Sequence, residues 1–464
     1  MFGGGELFRR VLKAGLVDAI EVAIIPVLLG GGEGLADMTR TGVAVTMAIS
    51  VGLAVVLLSA TTSRAVELAA FELPPPTGRY QVATTAWRLT DRSRKETFSG
   101  SSVFRQVEVL VWYPAAAPRR GALAPYLREG LSEVRSFAAL LRGPGTAFDE
   151  LADVRTHAEM DGAPAATPAK FPILLFSHGY TGIPSAYTAL LEDLASHGYV
   201  VLSLVHPYEA TAATLVDGRV VSLLDETGTL RQGIRDVFEE WGPEDETMAA
   251  VTRAVDEGEQ LRLLRGYLSG LRHTDIALRR WVDDTRLVLD RLSSFPSASL
   301  PGRLAARVDM NRLGVFGHSM GGVTAGQFCL EDRRCRAGLN LDGIPQYGTM
   351  IDKSLQRPFL MVYSARPGRR GASDAIYRRA ASPYYRVDVR DTLHLDFSDM
   401  AFWAGPLRER AILGTMAPAR ASAITGAIVR QYFAQELLGQ RSALLAGEPV
   451  FPEVTVSTFR PTAH

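Results

Sequence analysis

A short glycine-bracketed turn between a strand-like and a helix-like segment constrains this fold more than any other feature. The apolar run 313–316 leads into Gly317-His318-Ser319-Met320-Gly321, and helix-forming sequence follows. This layout is typical of a nucleophile elbow, in which a serine is held at a strained backbone angle at the top of a sheet. A Cβ at either flanking glycine would collide with the neighbouring strand or helix. The turn therefore predicts an α/β fold with Ser319 as nucleophile and Gly317 and Gly321 as elbow glycines.

A nucleophilic serine needs a base, and only two histidines, His394 and His464, follow Ser319. In folds with this elbow the chain order is serine, then acid, then histidine. Because chain ends fray, a terminal residue is a poor position for a base that must be held in place. His394 follows the strand-like run 384–389 and lies in loop sequence. We therefore expect His394 to be the general base, with a surface or structural histidine as the alternative.

The acid that orients this base must come from the interval between Ser319 and His394. Asp342 is the best placed, because it ends the apolar run 337–341 and precedes Gly343, at the carboxyl end of a strand. The alternative is an aspartate that only caps a turn. The acidic residues of the interval are Glu331, Asp332, Asp342, Asp352, Asp374, Asp388 and Asp391.

Two backbone N–H groups are expected to form an oxyanion hole. One donor is Met320, directly after the nucleophile, and the other belongs to a loop after an earlier strand. The run 171–177 predicts that strand, and Gly179 lets the following loop turn so that it presents the N–H of Tyr180. We interpret His178 as a packing residue that stiffens this loop.

The composition is that of a large folded enzyme. The chain has 464 residues, 47% of them apolar, with 50 basic and 50 acidic side chains. It can therefore bury one large core with accessory segments, and its zero net charge gives no reason to expect a nucleic-acid partner. We find no Cys/His ligand spacing and no glycine-rich phosphate loop after a strand. The expected chemistry needs no metal and no cofactor; the oligomeric state is left open.

The first 75 residues are interpreted as a leader that contains a long apolar segment. Thr41–Ser63 carries no charge and is long enough for a membrane helix, which needs about 20 residues. It also has the form of a secretory signal, with small residues at Ser63-Arg64-Ala65 for cleavage. Two explanations remain open: translation starts at Met38, or the segment is an uncleaved anchor. Both place the catalytic domain, 76–464, outside the cytoplasm, and a buried helix of a soluble domain is the alternative.

Cys329 and Cys335 lie between the helix after the elbow and the strand leading to Asp342. A turn of this length brings two Cα atoms within disulfide range, so a disulfide is expected in an exported protein. In a cytosolic protein the pair would be two buried thiols.

Alternating strand and helix patterns predict a mostly parallel sheet covered on both faces. Ser185 is expected to cap a helix that ends at Gly198. The segment 115–168 is interpreted as a surface excursion. The segment from 208 to about 275 is too long for a simple connection, and a lid over the site and a plain solvated insertion both remain open. The strands are expected near 80–90, 105–113, 171–177, 199–205, 311–317, 336–341, 357–363 and 384–389.

The chain resembles the plasma-type platelet-activating-factor acetylhydrolases, a family of α/β-hydrolases, as a bacterial-like member. The resemblance runs from about 79 to 440, and its motifs occur in the family's order. These motifs are Leu89–Arg94, Val107–Pro114, Phe176-Ser177-His178-Gly179, Trp281–Asp290, Gly317–Gly322, Leu341-Asp342-Gly343 and Leu393-His394. The resemblance implies Ser319, Asp342 and His394 as triad, with Tyr180 and Met320 as oxyanion donors.

The resemblance also implies an activity in lipid catabolism. The expected enzyme is a serine carboxylester hydrolase that removes short or oxidised acyl chains from phospholipids, like a 1-alkyl-2-acetylglycerophosphocholine esterase, and that can work at a lipid surface. Related bacterial lipases and polyester or cutinase-like esterases share the elbow and the His-Gly loop, so they remain the alternative. A membrane-tethered binding protein with an inactive hydrolase domain is the third hypothesis.

Overall fold

A computed structural model describes residues 71–98, 103–167, 169–403, 407 and 412–461. The apolar segment 41–63, the alternative start at Met38 and most of the leader to residue 75 lie outside these residues. Within the described ranges, no helix combines the length and the apolar character needed to cross a membrane.

Eleven strands of the described chain form one sheet, in the order β13-β12-β11-β10-β9-β5-β6-β2-β1-β4-β3, and β7 and β8 form a separate two-stranded ribbon. The strands are β1 (Gln81–Lys95), β2 (Phe104–Ala115), β3 (Leu123–Pro125), β4 (Arg155–Met160), β5 (Phe171–Ser177), β6 (Val200–Val205), β7 (Ala213–Thr214), β8 (Val220–Val221), β9 (Val308–His318), β10 (Ala337–Leu341), β11 (Phe359–Tyr363), β12 (Tyr384–Val389) and β13 (Val454–Phe459).

The helices of the described chain are α1 (Leu131–Leu140), α2 (Thr188–Ser196), α3 (Gln232–Glu240), α4 (Glu244–Arg253), α5 (Glu257–Leu268), α6 (Arg272–Arg291), α7 (Leu300–Ala305), α8 (Met320–Glu331), α9 (Asp374–Tyr377) and α10 (Pro418–Leu438). Three of the short 3-10 helices are Pro184–Tyr187, His394–Phe397 and Asp399–Phe402.

The sheet is mostly parallel and is buried on both faces. β6, β5, β9, β10, β11 and β12 run parallel to their neighbours in this central part, while β2 and β13 join it antiparallel. Successive side chains of a strand point to opposite faces, and here both sets are buried. Ile173 and Leu175 pack in the cluster that contains α6, whereas Leu174 and Phe176 pack in the cluster that contains α2 and α10. The expected α/β-hydrolase fold is confirmed.

The segment 115–168 is not the surface excursion that its composition indicated. It supplies β3 and β4, which extend the sheet beyond β1, and it buries Tyr126, Val134 and Ala158 completely. Alanine and proline are compatible with short edge strands, so the composition of this segment did not distinguish a loop from a sheet edge.

The segment 208–275 folds into the β7–β8 ribbon and helices α3, α4 and α5. These helices bury Ile234, Met248 and Leu264 fully in the cluster that also holds Trp281 of α6. The interpretation as a plain solvated insertion is therefore wrong, because the segment contributes to the main core.

Cys329 and Cys335 form a disulfide with a Cα–Cα distance of 5.1 Å. It links the end of α8, which follows Ser319, to the start of β10, which leads to Asp342. Such a link stabilises a fold mainly by restricting the unfolded chain, and a loop this short contributes about 2 kcal/mol.

We predict that the double substitution Cys329→Ala/Cys335→Ala lowers the free energy of unfolding by about 2 kcal/mol in urea titrations. The wild-type protein treated with a thiol reductant should lose a similar amount. The double variant, which has no bond to reduce, should be insensitive to the reductant. Equal stability of all samples would contradict the stabilising role of this disulfide.

Candidate active site

Ser319 lies in a strained turn between β9 and α8. Its φ is 55°, a left-handed value that is unfavourable for a serine, and its N–H donates to Leu341 O at 2.8 Å. A Cβ at Gly317 would lie 2.3 Å from the carbonyl carbon of Gly321, and one at Gly321 would lie 2.0 Å from Ser177 O. Only glycine fits at these two positions, because β5, β9 and α8 meet here at van der Waals distance.

Asp342 and His394 form a hydrogen-bonded pair at the same edge of the sheet. The Nδ1–H of His394 donates to Asp342 Oδ2 at 2.8 Å. Ser364, directly after β11, donates its N–H to Oδ1 at 2.8 Å and its hydroxyl to Oδ2 at 2.9 Å. Asp342 is completely buried, whereas the His394 side chain is 25% exposed. The imidazole is therefore held by a fixed carboxylate and remains accessible from solvent.

Arg366 sets the electrostatics of this pair, with its guanidinium 3.0 Å from Asp342 Oδ2. Burial alone would raise the pKa of Asp342, but Arg366 and the hydrogen bond from His394 outweigh burial and hold that pKa well below its usual range. The pKa of His394 is lowered, first by burial and then by the positive charge of Arg366. The site therefore contains an ionised Asp342 and a neutral His394 at neutral pH.

His318 precedes Ser319 in the chain and contacts His394. Its Nε2–H donates to the carbonyl oxygen of His394 at 2.8 Å, and the two rings lie 4.4 Å apart. Its Nδ1 is then free to accept from the hydroxyl of Tyr187 at 2.9 Å. Ser319 Oγ forms no hydrogen bond with a described residue, and catalytic hydrogen bonds are often long until substrate is bound.

The loop after β5 lies close to Ser319. A Cβ at Gly179 would be 3.2 Å from Ser319 Cβ. The N–H groups of Tyr180 and Met320 have no acceptor among the residues that the structure describes. For Met320 this follows from its place as first residue of α8, where the N–H has no intrahelical partner. Both N–H groups that the sequence singled out therefore remain available to a ligand.

Helices α3 and α4 border this loop. The ring of Trp241, just after α3, lies 5.5 Å from the ring of Tyr180 and stacks at 6.1 Å on Tyr347. Glu244 at the start of α4 accepts from the hydroxyl of Tyr347 at 2.7 Å and pairs with Arg369 at 2.8 Å. The inserted segment is thus held beside the loop after β5.

Sequence reasoning missed three residues that shape the site: Arg366, Arg369 and Glu244. The only signal for the two arginines was a group of arginines between Ser364 and Arg370, after a strand that ends beside the Asp342 strand. Glu244 lies in an acidic patch of the inserted segment, which by itself does not indicate a place in the site. His318 has a specific contact in the site, because its Nε2–H donates to the backbone of His394. Trp403 is core: it is fully buried and donates from Nε1 to the hydroxyl of Tyr126 at 3.2 Å.

A family model for platelet-activating factor acetylhydrolase, isoform II, matches residues 70–241. The chain is 25% identical over 262 residues to a platelet-activating factor acetylhydrolase of Cavia porcellus, covering 53% of this chain and 52% of that protein. It is 23% identical to a probable 1-alkyl-2-acetylglycerophosphocholine esterase of Arthroderma benhamiae, covering 59% of each. The chain is a relative of the platelet-activating factor acetylhydrolases.

The chain spans about half the length of these curated relatives of the acetylhydrolase family. A solved ferulic acid esterase of Streptomyces cinnamoneus aligns with a TM-score of 0.62 and 28% identity, covering 84% of this chain and 99% of that one. The family resemblance is therefore confirmed. In the part of the chain that the structure describes, no group of three His, Cys, Asp or Glu side chains is arranged to hold a metal ion.

The lowered pKa of His394 predicts the acid limb of the pH profile. Because the base acts in its neutral form, kcat/KM should rise with pH through an inflection below the usual histidine pKa of about 6.5. Arg366→Gln removes a charge that lowers the pKa of His394, so the inflection should move to higher pH.

The matched control is Arg370→Gln, an exposed arginine on the same loop that pairs with Asp388 rather than Asp342. This variant should keep the wild-type inflection. Identical pH profiles for Arg366→Gln and wild type, measured with a nitrophenyl ester, would contradict the electrostatic role of Arg366.

Proposed function

We propose that the protein is a serine carboxylester hydrolase with Ser319, His394 and Asp342 as its catalytic triad. The observation that carries the proposal is the hydrogen-bonded pair of His394 and buried Asp342 beside an elbow serine. The confirmed relationship to named acetylhydrolases and the alignment with a named esterase support the same reaction class. The geometry is that of an activated nucleophile with an oriented base.

In the proposed mechanism, Ser319 Oγ attacks the ester carbonyl while His394 Nε2 accepts its proton. Asp342 keeps the proton of His394 on Nδ1, so that Nε2 is free to act as base, and it stabilises the imidazolium that forms. The oxygen of the tetrahedral intermediate accepts hydrogen bonds from the N–H groups of Tyr180 and Met320. His394 then protonates the leaving alcohol, and water hydrolyses the acyl-enzyme by the same steps.

The proposed substrate class is a phospholipid with a short or oxidised acyl chain. This proposal is supported by the sequence similarity to a platelet-activating factor acetylhydrolase and to a probable 1-alkyl-2-acetylglycerophosphocholine esterase. Such a substrate places the enzyme in lipid catabolism and at a lipid surface. The lipase and polyester hydrolase alternatives stay predictions that no observation on the structure favours.

A second candidate is an aromatic carboxylic ester. The ferulic acid esterase aligns over 99% of its own length, whereas the curated acetylhydrolases are matched over about half of theirs. Stacked rings of Trp241 and Tyr347 lie next to the oxyanion loop, and aromatic faces favour planar aromatic ligands.

We propose that the catalytic domain works outside the cytoplasm, either secreted or held by the leader. The disulfide between Cys329 and Cys335 supports this location, because disulfides persist in oxidising compartments. The apolar segment 41–63 supports export in either of its two interpretations.

Covalent labelling tests the nucleophile. A fluorophosphonate probe should label the wild-type protein on Ser319, and Ser319→Ala should abolish labelling and reduce ester hydrolysis on the order of 10⁴-fold or more. Ser294→Ala, an exposed serine far along the chain from the elbow, is the control and should be labelled like wild type. A folded wild-type protein without labelling would favour the inactive binding protein.

A substrate series tests the acyl preference. We expect a phosphatidylcholine with an acetyl group at the second position to be hydrolysed at least tenfold faster, in kcat/KM, than one with two long chains. Methyl ferulate is the comparison that represents the aromatic candidate. A larger kcat/KM for methyl ferulate, with no hydrolysis of the acetylated phospholipid, would remove the acetylhydrolase assignment and leave the esterase one standing.

A further inference from the structure

The peptide unit between Gly179 and Tyr180 is held from one side by two hydrogen bonds. The carbonyl oxygen of Gly179 accepts from the N–H of Gly182 at 2.9 Å and from Nδ1–H of His178 at 2.6 Å. A trans peptide is planar, and its C=O and N–H point in opposite directions. The two bonds to Gly179 O therefore also orient the N–H of Tyr180, which has no acceptor among the described residues.

The bond from His178 requires one particular tautomer. The backbone N–H of His206 can only donate, and it lies 3.4 Å from Nε2 of His178. Nε2 of His178 must therefore accept, which leaves the ring proton on Nδ1, where it is directed at Gly179 O. Burial and then the neighbouring His206 lower the pKa of His178 to about 3, so the ring is neutral.

His206 is fixed by three contacts. Its Nδ1 lies 2.9 Å from Oδ2 of Asp284, and since a carboxylate accepts, Nδ1 carries the proton. Its Nε2 then accepts from the hydroxyl of Ser177 at 3.3 Å. Its ring stacks on Trp281 with centroids 3.9 Å apart and planes within 9°. Burial lowers the pKa of His206 despite the nearby carboxylate, so this ring is neutral too.

Asp284 is kept ionised by two arginines. Arg105 donates from Nη2 to Oδ2 at 2.7 Å, and Arg94 donates from Nη2 to Oδ1 at 2.8 Å. Burial would raise the pKa of Asp284, but Arg105 and the hydrogen bond from His206 hold it well below its usual range. Since the carboxylate cannot donate, it keeps the proton of His206 on Nδ1, whereas the tautomer of His178 is set by the backbone N–H of His206 and the carbonyl oxygen of Gly179.

A second link joins the same network to the loop. Trp281 donates from Nε1 to Oε2 of Glu209 at 3.0 Å, and the carbonyl oxygen of Glu209 accepts from the N–H of Thr181 at 2.9 Å. Glu209 is itself paired with Arg280 at 2.8 Å. The loop is thus held on both sides of Tyr180.

We propose that Asp284, His206 and His178 are positioning residues that orient the Tyr180 N–H of the oxyanion hole. Ser177, His206 and Asp284 repeat the order of contacts of a catalytic triad, but all three are buried, so the hydroxyl of Ser177 is not accessible to a substrate. Asp284 and Ser177 hold the ring of His206, and the backbone N–H of His206 contacts Nε2 of His178. The Nδ1–H of His178 in turn fixes the plane of the peptide after Gly179. This inference rests on the proposed esterase function.

Two variants test the proposal: His178→Phe, which removes the donor to Gly179 O, and Ser177→Ala, a smaller change that removes the donor to His206. We expect about a tenfold lower kcat for His178→Phe on nitrophenyl acetate and a smaller loss for Ser177→Ala, since removing an oxyanion donor altogether costs about 10²–10³-fold. KM should stay within about twofold. Inhibition by a trifluoromethyl ketone, whose adduct with serine carries an oxyanion, should weaken by the same factor as kcat/KM.

The matched control is Asp283→Asn, which changes the neighbouring carboxylate on α6, an exposed partner of Arg286. It should leave kcat and ketone affinity unchanged. Nitrogen chemical shifts of ¹⁵N-histidine, assigned through His178→Phe and His206→Asn, should show both rings of the wild type protonated on Nδ1 and bare on Nε2 at pH 7.

The outcomes separate this inference from the proposed function. A wild-type protein that neither hydrolyses esters nor reacts with a fluorophosphonate refutes both. If the wild type is active and folded Ser177→Ala and His178→Phe keep its kcat and ketone affinity, only the positioning role is refuted. A ring of His178 protonated on Nε2 refutes the positioning role even if the variants do not fold.

Discussion

The negative charge of Asp342 is buried, and several contacts of the site are needed to compensate it. An ionised carboxylate without exposure to water is strongly destabilising unless a cation and hydrogen bonds compensate it. Here Ser364 donates twice, His394 donates once and Arg366 supplies the charge. Ser364 and Arg366 lie in the loop after β11, and His394 lies in the loop after β12. Their contacts with the carboxylate at the end of β10 therefore hold these two loops close to each other.

The same loop after β11 connects the triad region to the inserted helices. Arg366 pairs with Asp342, and three residues later Arg369 pairs with Glu244 and Asp245 of α4. Arg369 is only 4% exposed, so its carboxylate partners are required to offset the cost of burying its charge. The insertion is therefore attached to the site by a buried ion pair, and its role as a lid stays a prediction.

The parts of the structure that were predictable from sequence are those that depend on local sterics and chain order. The glycines around Ser319 mark the elbow because no side chain fits there, and Asp342 was identified because it ends an apolar strand. Ser185 shows where local reasoning failed. Its pattern predicted a helix cap, but its hydroxyl donates to Glu133 at 3.0 Å, and α2 begins three residues later without a side-chain cap. Glu133 belongs to the segment that composition assigned to the surface.

The network beneath the oxyanion loop could not be predicted for the same reason. Arg105 of β2 and Asp284 of α6 are 179 residues apart in sequence and meet only in the folded chain. A buried arginine or aspartate looks like a surface residue in sequence, since both types are mostly exposed in proteins. A buried arginine or aspartate differs from a surface one by having an ion-pair partner in the core. The fold, and not the local sequence, decides which residue that partner is.

The loop that carries the N–H of Tyr180 and the ring of His394 are held in different ways, and the proposed mechanism explains the difference. The donors of the oxyanion hole gain most from being fixed in advance, because they stabilise charge only if they need not reorient as it develops. Their loop is accordingly attached to a buried network of charges and two neutral histidines. In the proposed mechanism His394 takes a proton from Ser319 and gives it to the leaving alcohol, and its ring is held through Asp342 at one nitrogen while a quarter of the side chain stays exposed. In the proposed mechanism, a donor loop attached to a buried network and a partly exposed base therefore serve the same nucleophile, Ser319.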